Sequence, residues 1–190
     1  SHLSGTVSSS QQAAELVNIP VLTIDSKVLS YPLTAMLKRA MNLVKEGVSI
    51  EDLKNEMELI SKRADIYVLI GSLEQLHRSG RMTGMQKVLG SLLQIKPIIA
   101  IKDGKLAIAE KVRTEKKVFQ RMIELFEDAA SQGTVKELFL LYGRDEEQTL
   151  SIREKIQAKY PNLKISAYPI STTISVHAGI DTVGLSWIND

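Results

Sequence analysis

The sequence predicts an α/β fold, and three features of the 190-residue chain indicate this class. Short apolar runs that are typical of buried strands alternate with segments of helical periodicity along most of the chain. The strand–helix–helix–strand order between Ile19 and Ile70 is typical of an α/β layer. Farther along, Asp103-Gly104 joins two apolar runs, and this dipeptide strongly favours a β-hairpin.

The first 70 residues are predicted to form three helices and two strands. Both strands are continuous apolar runs, whereas the helices repeat their apolar residues every three or four positions. In chain order these elements are a helix over Val7–Val17, a strand over Ile19–Ile24, a helix over Leu29–Glu46, a helix from Ser49 to about Lys62 and a strand over Ile66–Ile70. Gly47 is the expected end of the second helix, and Ser49 with Asp52 resembles a capping box that begins the third.

The rest of the chain is predicted to contain a β-hairpin, two further strands and four helical segments. These elements are a short helical turn at Leu73–His77, a helix over Thr83–Leu93, hairpin strands over Pro97–Ile101 and Leu106–Val112, a helix over Thr114–Ala130, a strand over Glu137–Tyr142, a helix over Glu146–Lys159 and a strand over Leu163–Tyr168. The tail passes through His177-Ala178-Gly179 into another apolar run that contains Trp187.

Composition excludes some classes of protein. The chain is 44% hydrophobic and 24% charged, which is ordinary for a globular protein. It has no cysteine, so disulfides and thiol chemistry are excluded. No apolar run approaches the roughly 20 residues that span a bilayer, and we expect a cytoplasmic protein. A net charge of +2 and only nine aromatic residues argue against a dedicated nucleic-acid binder.

Positive charge is concentrated in one segment. Eleven Lys and Arg residues lie between His77 and Arg121 against three acids, a local net charge of +8. Because the whole chain carries only +2, the remainder is net acidic. Such a segment indicates either a site or face that meets an anion or a solvated basic surface.

The sequence motifs of common enzymes are absent. We find no Walker loop, no GxGxxG after a strand, no HExxH and no nucleophile elbow. The three histidines are widely separated, so metal-ligand spacing is absent too. We therefore expect no catalytic residue and no metal site.

Several residues suit the binding of a carboxylate or phosphate. Ser4-Gly5-Thr6 opens a helix with two hydroxyls and free backbone N–H groups, which can donate hydrogen bonds to an anion. Arg81 and Arg113 carry planar forks of donors, and His177 can donate or change protonation near neutral pH.

Each of these residues also has a structural interpretation. Ser4-Gly5-Thr6 could simply cap its helix, and Arg81 could pin a loop by bonding carbonyls. Arg113 could pair with Glu110 or Glu115, and His177 could be a hydrogen-bonded core histidine. The residues alone do not decide between the two interpretations.

Seven short motifs follow one another along the chain: LSGT (Leu3–Thr6), IDSK (Ile24–Lys27), LEQL with GRM (Leu73–Met82), GSLLQIKPI (Gly90–Ile98), KDGK (Lys102–Lys105), EKVRT (Glu110–Thr114) and HAG (His177–Gly179). The same motifs occur in this order in the DegV family, and the chain resembles this family along essentially its whole length. Members of the family include the fatty-acid-binding subunits of bacterial fatty acid kinase.

The resemblance implies a two-domain α/β protein, with a parallel-sheet portion followed by a mixed sheet with a β-hairpin and flanking helices. Residues 1–72 would be the remainder of an N-terminal α/β domain that lacks its N-terminal part. Residues 73–190 would be the C-terminal α/β domain, with the tail returning to the first domain.

The resemblance also implies a lipid-binding subunit that is not itself an enzyme. It would enclose one long-chain fatty acid as its ligand, with no other cofactor, and present the carboxylate to an ATP-dependent fatty acid kinase subunit. A protein in this role could come close to a membrane transiently, and it is not expected to bind nucleic acid. The positions that match the family's head-group residues are Ser4 with its neighbours Gly5 and Thr6, Arg81, and His177. Arg113 matches the arginine on the face that meets the kinase.

Two departures from the family pattern stand near these residues. Ser79 replaces the first glycine of the usual Gly-Gly-Arg loop, which could alter the loop conformation. His177-Ala-Gly-Ile-Asp181 replaces His-Thr-Gly-Pro-Gly and introduces an acid. Two other functions remain open at this point: a small-molecule transferase or hydrolase acting on a carboxylated or phosphorylated substrate, and a basic regulatory binding module.

Overall fold

The computed structural model describes residues 1–82, 95–133 and 135–189 of the chain. Within these ranges it contains seven helices and six strands. The helices are α1 (Thr6–Ala14), α2 (Ser30–Glu46), α3 (Ile50–Arg63), α4 (Leu73–Arg78), α5 (Glu115–Ala130), α6 (Glu147–Lys159) and α7 (Thr172–Ala178). The strands are β1 (Ala64–Leu69), β2 (Lys96–Lys102), β3 (Lys105–Val112), β4 (Val135–Tyr142), β5 (Lys164–Pro169) and β6 (Val183–Asn189).

Local sequence signals agree with most of these elements. Gly47 ends α2 in the left-handed conformation with φ of 73°, and the Ser49 hydroxyl accepts a hydrogen bond from the Asp52 amide at the start of α3. Asp103 and Gly104 both have positive φ and form the turn of the β2–β3 hairpin. The short helix α7 was not predicted, and the predicted helix over Thr83–Leu93 lies outside the described residues.

The predicted strand over Ile19–Ile24 is wrong for the described structure. These residues have no regular secondary structure, and Ile19, Val21 and Leu22 are exposed. Their apolar, β-branched character suits a strand, but a strand also needs a neighbour for its backbone hydrogen bonds. None of the described strands pairs with them.

All six strands form one mixed sheet in the order β3-β2-β1-β6-β4-β5. Only β4 and β5 are parallel, and α6 is the connection between them. The strand β1, expected in a parallel-sheet portion, is instead antiparallel to both β2 and β6. β1 has no parallel neighbour because β6, the last described strand, lies between β1 and β4 and runs antiparallel to both. The division into domains at residue 72 stays a prediction.

The two faces of the sheet pack against different helices. One face carries Leu69, Leu138 and Trp187, and it packs against Phe126 of α5 and Ile156 of α6. On the opposite face, Ile66, Val68, Ile99 and Ile101 form a smaller cluster with Leu76 of α4. Because successive side chains of a strand point to opposite faces, the apolar runs of β1 and β2 supply both clusters. Among the described helices none has the length and apolar character that crossing a membrane requires.

Candidate functional site

A cavity of about 610 Å³ lies on the face of the sheet opposite α5 and α6. Its wall is mostly apolar, with contributions from α1, the segment before α2, the sheet and α7. The apolar lining residues are Leu3, Val7, Ile24, Val28, Leu29, Leu33, Val68, Ile70, Leu76, Ile101, Leu106, Leu141, Ile170, Ile174 and Ala178. Its volume is in the range of small-molecule sites, about 300–1,000 Å³. An apolar ligand could therefore occupy it.

Two hydroxyl groups lie at the cavity where α1 begins. The Oγ of Ser4 and the Oγ1 of Thr6 are 2.7 Å apart, and both residues line the cavity. The Ser4 Oγ also accepts a hydrogen bond from the Thr6 amide at 3.2 Å, so it holds the first turn of the helix. Gly5 is the residue before α1 and is not among the lining residues. Both hydroxyls are exposed and remain able to bond a ligand.

Arg81 lines the same cavity and connects two separate segments. Its Nη1 donates to the carbonyl of Ser79 at 2.5 Å, and its Nε donates to the carbonyl of Leu3 at 3.4 Å. The structure therefore shows the loop-pinning role for Arg81, and the same contact brings the guanidinium beside Ser4. A guanidinium has five N–H donors, so others are left for a ligand.

His177 lies near the end of α7, with its imidazole at the cavity. Its Nδ1 is shielded from solvent and has no hydrogen-bond partner within the described residues. A buried nitrogen without a partner costs free energy. This finding argues against the interpretation of His177 as a hydrogen-bonded core histidine.

Two loops hold α7 in place against the sheet. The Ser72 amide donates to the carbonyl of Ala178 at 2.8 Å, and the Gly71 amide donates to the Oγ1 of Thr182 at 3.0 Å. Thr182 is buried, and its hydroxyl in turn donates to the carbonyl of Ala178 at 2.9 Å. Because both loops bond the end of α7, the position of His177 follows from the geometry of the sheet.

Asp25 is a cavity residue that sequence reasoning did not assign, although it lies in the quoted IDSK motif. Burial alone would raise the pKa of this carboxyl. Hydrogen bonds from the Ser1 hydroxyl and from the Lys27 amide act against that effect and lower the pKa. Asp25 is therefore ionised at neutral pH and cannot donate a proton to a ligand carboxylate.

Thr182 and two residues near the start of α7, Ser171 and Thr173, also line the cavity and were missed. Ser171 has a recognisable local signal, because its side chain accepts from the Ile174 amide as a helix cap. Nothing in the local sequence marks Thr182, whose position depends on the contact with Gly71.

Arg113 lies away from this cavity. It follows β3 at the end opposite the hairpin turn, and Gly104 of that turn lines the cavity. At about 3.4 Å per residue, the strand separates Gly104 from Arg113 by roughly 30 Å. Arg113 is exposed and makes no hydrogen bond or ion pair with any described residue, because Glu110 pairs with Arg121 and Glu115 with Lys96. The alternative interpretation, in which Arg113 pairs with one of these acids, is thus wrong.

The structure accommodates both departures from the family pattern, Ser79 and Asp181, and neither residue lines the cavity. Ser79 has φ of −80°, which any residue adopts, and the left-handed position belongs to Gly80. Asp181 points to the surface, where Arg144 Nε donates to its carboxylate at 2.9 Å. The loop conformation therefore does not need glycine at position 79, and the extra acid does not enter the cavity.

The arrangement suits the binding of an amphipathic anion. A mostly apolar wall can bury a hydrocarbon chain, while Ser4, Thr6, Arg81 and His177 offer donors to an acidic head group. In the part of the chain that the structure describes, no group of three or more His, Cys, Asp or Glu side chains is arranged to hold a metal ion.

Comparison with known proteins gives a family match over residues 1–190, to the family described as "Uncharacterised protein, DegV family". Protein DegV of Bacillus subtilis is 33% identical over 189 residues, which cover 98% of this chain and 67% of that protein. The chain spans about two thirds of the length of the curated relatives it matches.

Solved structures share the fold. The crystal structure of Bacillus subtilis DegV, described as a fatty acid binding protein, superposes with a TM-score of 0.89 at 32% identity, covering 100% of this chain and 68% of that one. A DegV family protein from Thermus thermophilus, described by its fatty acid binding, gives 0.86 at 30% identity, covering 99% and 68%. The Streptococcus pneumoniae fatty acid kinase B3 protein, loaded with linoleic acid, gives 0.79 at 20% identity, covering 99% and 68%, which is a likeness of fold alone.

Proposed function

Because this chain belongs to the DegV family, we propose that its cavity binds one long-chain fatty acid. The observation that carries the proposal is a mostly apolar cavity of about 610 Å³ whose lining includes the hydroxyl residues Ser4 and Thr6 and the guanidinium residue Arg81. A carboxylate buried without donors is prohibitively costly, and here Ser4, Thr6, Arg81 and His177 line an otherwise mostly apolar space. Fatty acid binding by the Bacillus subtilis and Thermus thermophilus relatives supports the same ligand class.

In this proposal the carboxylate bonds the hydroxyls of Ser4 and Thr6, the guanidinium of Arg81 and the imidazole of His177. Charge-assisted hydrogen bonds of this kind are short and about twice as strong as neutral ones. The acyl chain lies along Val68, Ile101 and Leu106, where the sheet supplies apolar wall. The chain acts as a carrier, and the chemistry at the carboxylate belongs to a partner.

Native mass spectrometry of the purified 190-residue protein tests the ligand. We expect one bound fatty acid per chain, and its loss from the Ser4→Ala/His177→Ala variant. Ser9 and His77 are exposed residues of α1 and α4 outside the cavity, so Ser9→Ala/His77→Ala is the matched control and should retain the lipid. Equal lipid content in both variants would show that the head-group assignment is wrong.

We further propose that the partner is an ATP-dependent fatty acid kinase subunit and that Arg113 contacts it. Support comes from the exposure of Arg113 and from its lack of any ion pair with a described residue. The Arg113→Glu variant should keep its fatty acid but lose acyl phosphate formation when kinase and ATP are added. Lys111→Glu, which makes the same charge change at an exposed position two residues earlier, is the control. Unchanged phosphorylation of Arg113→Glu would exclude Arg113 from the kinase interface.

A further inference from the structure

The central strands of the sheet close the floor of the cavity at a definite row of side chains. Residues that lie opposite each other on neighbouring strands point to the same face of a sheet. On β1, β6 and β4, Ile66, Ser186 and Phe139 form one such row. All three are at most 3% exposed, and none of the three lines the cavity. On these strands, therefore, the cavity ends before this row.

The neighbouring row contains a glycine between two residues of the cavity wall. Gly184 of β6 lies opposite Val68 of β1 and Leu141 of β4. Val68 and Leu141 line the cavity, whereas Gly184 does not. A β-carbon at Gly184 would lie 2.8 Å from the Cγ1 of Val68 and 3.5 Å from the β-carbon of Leu141. The Cγ1 of Val68 therefore lies in the space that a side chain at position 184 would need.

The side chain of Val68 has little freedom to move from this position. Valine branches at its β-carbon, which restricts rotation about χ1. Val68 also belongs to a buried cluster with Ile99 and Ile101, so its neighbours hold it from the side of β2. The position of the cavity wall here depends on two residue types together: the valine at position 68 and the glycine at position 184.

We propose that Val68 and Gly184 determine specificity by setting the volume that the cavity offers to an acyl chain. The inference rests on the proposed function, the binding of a fatty acid. A smaller residue at position 68 deepens the cavity and admits longer chains. A larger residue at position 184 pushes Val68 into the cavity and excludes them, because the two side chains would compete for one space. If Gly184 serves only the packing of the sheet, its replacement changes stability and leaves acyl preference unaltered.

Val68→Ala tests the wall directly. The wild type and the variant are equilibrated with an equimolar mixture of saturated fatty acids, and native mass spectrometry gives the profile of bound chain lengths. We expect the mean length to rise by about two carbon atoms, since two methyl groups are removed from the wall. Val112→Ala is the matched control, because Val112 is a strand valine with 6% exposure against 7% for Val68, but it packs on the opposite face and does not line the cavity. It should keep the wild-type profile.

Gly184→Ala and the double variant Val68→Ala/Gly184→Ala complete the test. Gly184→Ala should bind shorter chains than the wild type. In the double variant the Cγ1 of Val68 is gone, so the added β-carbon finds room, and the profile should return toward that of the wild type. This comparison with Val68→Ala remains available even where Gly184→Ala alone fails to fold.

Two results would overturn the inference while leaving the proposed function intact. One is a wild type that holds a fatty acid but shares its profile with Val68→Ala. The other is a double variant that keeps the full shift of Val68→Ala, because the two positions would then act independently. A wild type that retains no fatty acid from the mixture would instead overturn both the proposed function and the inference that rests on it.

Discussion

A β-carbon at Gly179 would lie 2.8 Å from the backbone nitrogen of Ser72. Gly179 also has φ of +88°, which side chains disfavour. The contact brings the end of α7 against the loop after β1, where the Ser72 amide bonds the carbonyl of Ala178. The glycine of the His-Ala-Gly motif thus positions His177 through backbone contact, and it is not among the residues that line the cavity.

Gly179→Ala should therefore destabilise the protein and weaken ligand retention together. We expect a loss of about 2–4 kcal/mol in the free energy of unfolding, from left-handed strain and the clash with Ser72. Gly133→Ala is the control, because Gly133 has φ of +73° but a β-carbon there would meet no atom within 4 Å. It should lose only about 1–2 kcal/mol. Urea denaturation measures both, and equal losses would contradict the close contact.

Leu106→Trp should shorten the fatty acids that the protein accepts. Leu106 lines the cavity from β3, so the larger indole takes up space that a long acyl chain needs. Ile108→Trp is the matched control, since Ile108 is half-buried two residues along the same strand face but does not line the cavity. Mass spectrometry after equilibration with a mixture of fatty acids gives the profile. Identical profiles for the two variants would place the acyl chain elsewhere.

Glu110→Gln should lower stability at neutral pH but not in acid. Hydrogen bonds from Arg121 hold the pKa of Glu110 below its ordinary value of 4.5. A lowered folded-state pKa stabilises the protein above the unfolded pKa, and this contribution disappears as pH falls through the folded value. We expect a loss of about 1 kcal/mol at pH 7 that vanishes below the lowered pKa.

The control for Glu110→Gln is Glu58→Gln. Glu58 forms an exposed pair with Lys54 on α3, and such pairs contribute about 0.3–0.5 kcal/mol. Thermal unfolding as a function of pH separates the two variants. A pH-independent loss in Glu110→Gln would mean that packing, not the ion pair with Arg121, is responsible.

Ser79→Gly should not increase the free energy of unfolding or lipid retention, although it restores the glycine usual in the family. Ser79 has φ of −80°, and its hydroxyl donates to the carbonyl of Leu76 at 3.1 Å. Glycine loses this bond and adds freedom to the unfolded chain, so we expect a loss of about 0.5–1 kcal/mol in the free energy of unfolding, measured by urea denaturation. A gain in stability or in lipid retention on Ser79→Gly would contradict this geometry.

Local patterns in the sequence were enough to predict most elements. The signals at Gly47, Ser49 and the Asp103-Gly104 turn depend on conformation and hydrogen bonds within a few neighbouring residues. They can therefore be recognised from the sequence without knowledge of the tertiary structure. The strand at Ile19–Ile24 was predicted by the same kind of signal and is absent from the described structure. The difference is that a strand needs a partner, whereas a helix satisfies its backbone by itself.

The candidate site shows the same division. Residue types and the resemblance to family motifs single out Ser4, Arg81 and His177 as candidates, and their role in binding stays a prediction. Their convergence on one cavity, the unpartnered Nδ1 of His177 and the remote position of Arg113 appear only in the tertiary structure. Sequence by itself determined the local elements and the chemistry of the donors. The order of strands in the sheet decided which donors meet, because contacts between distant parts of a chain depend on packing that no local pattern records.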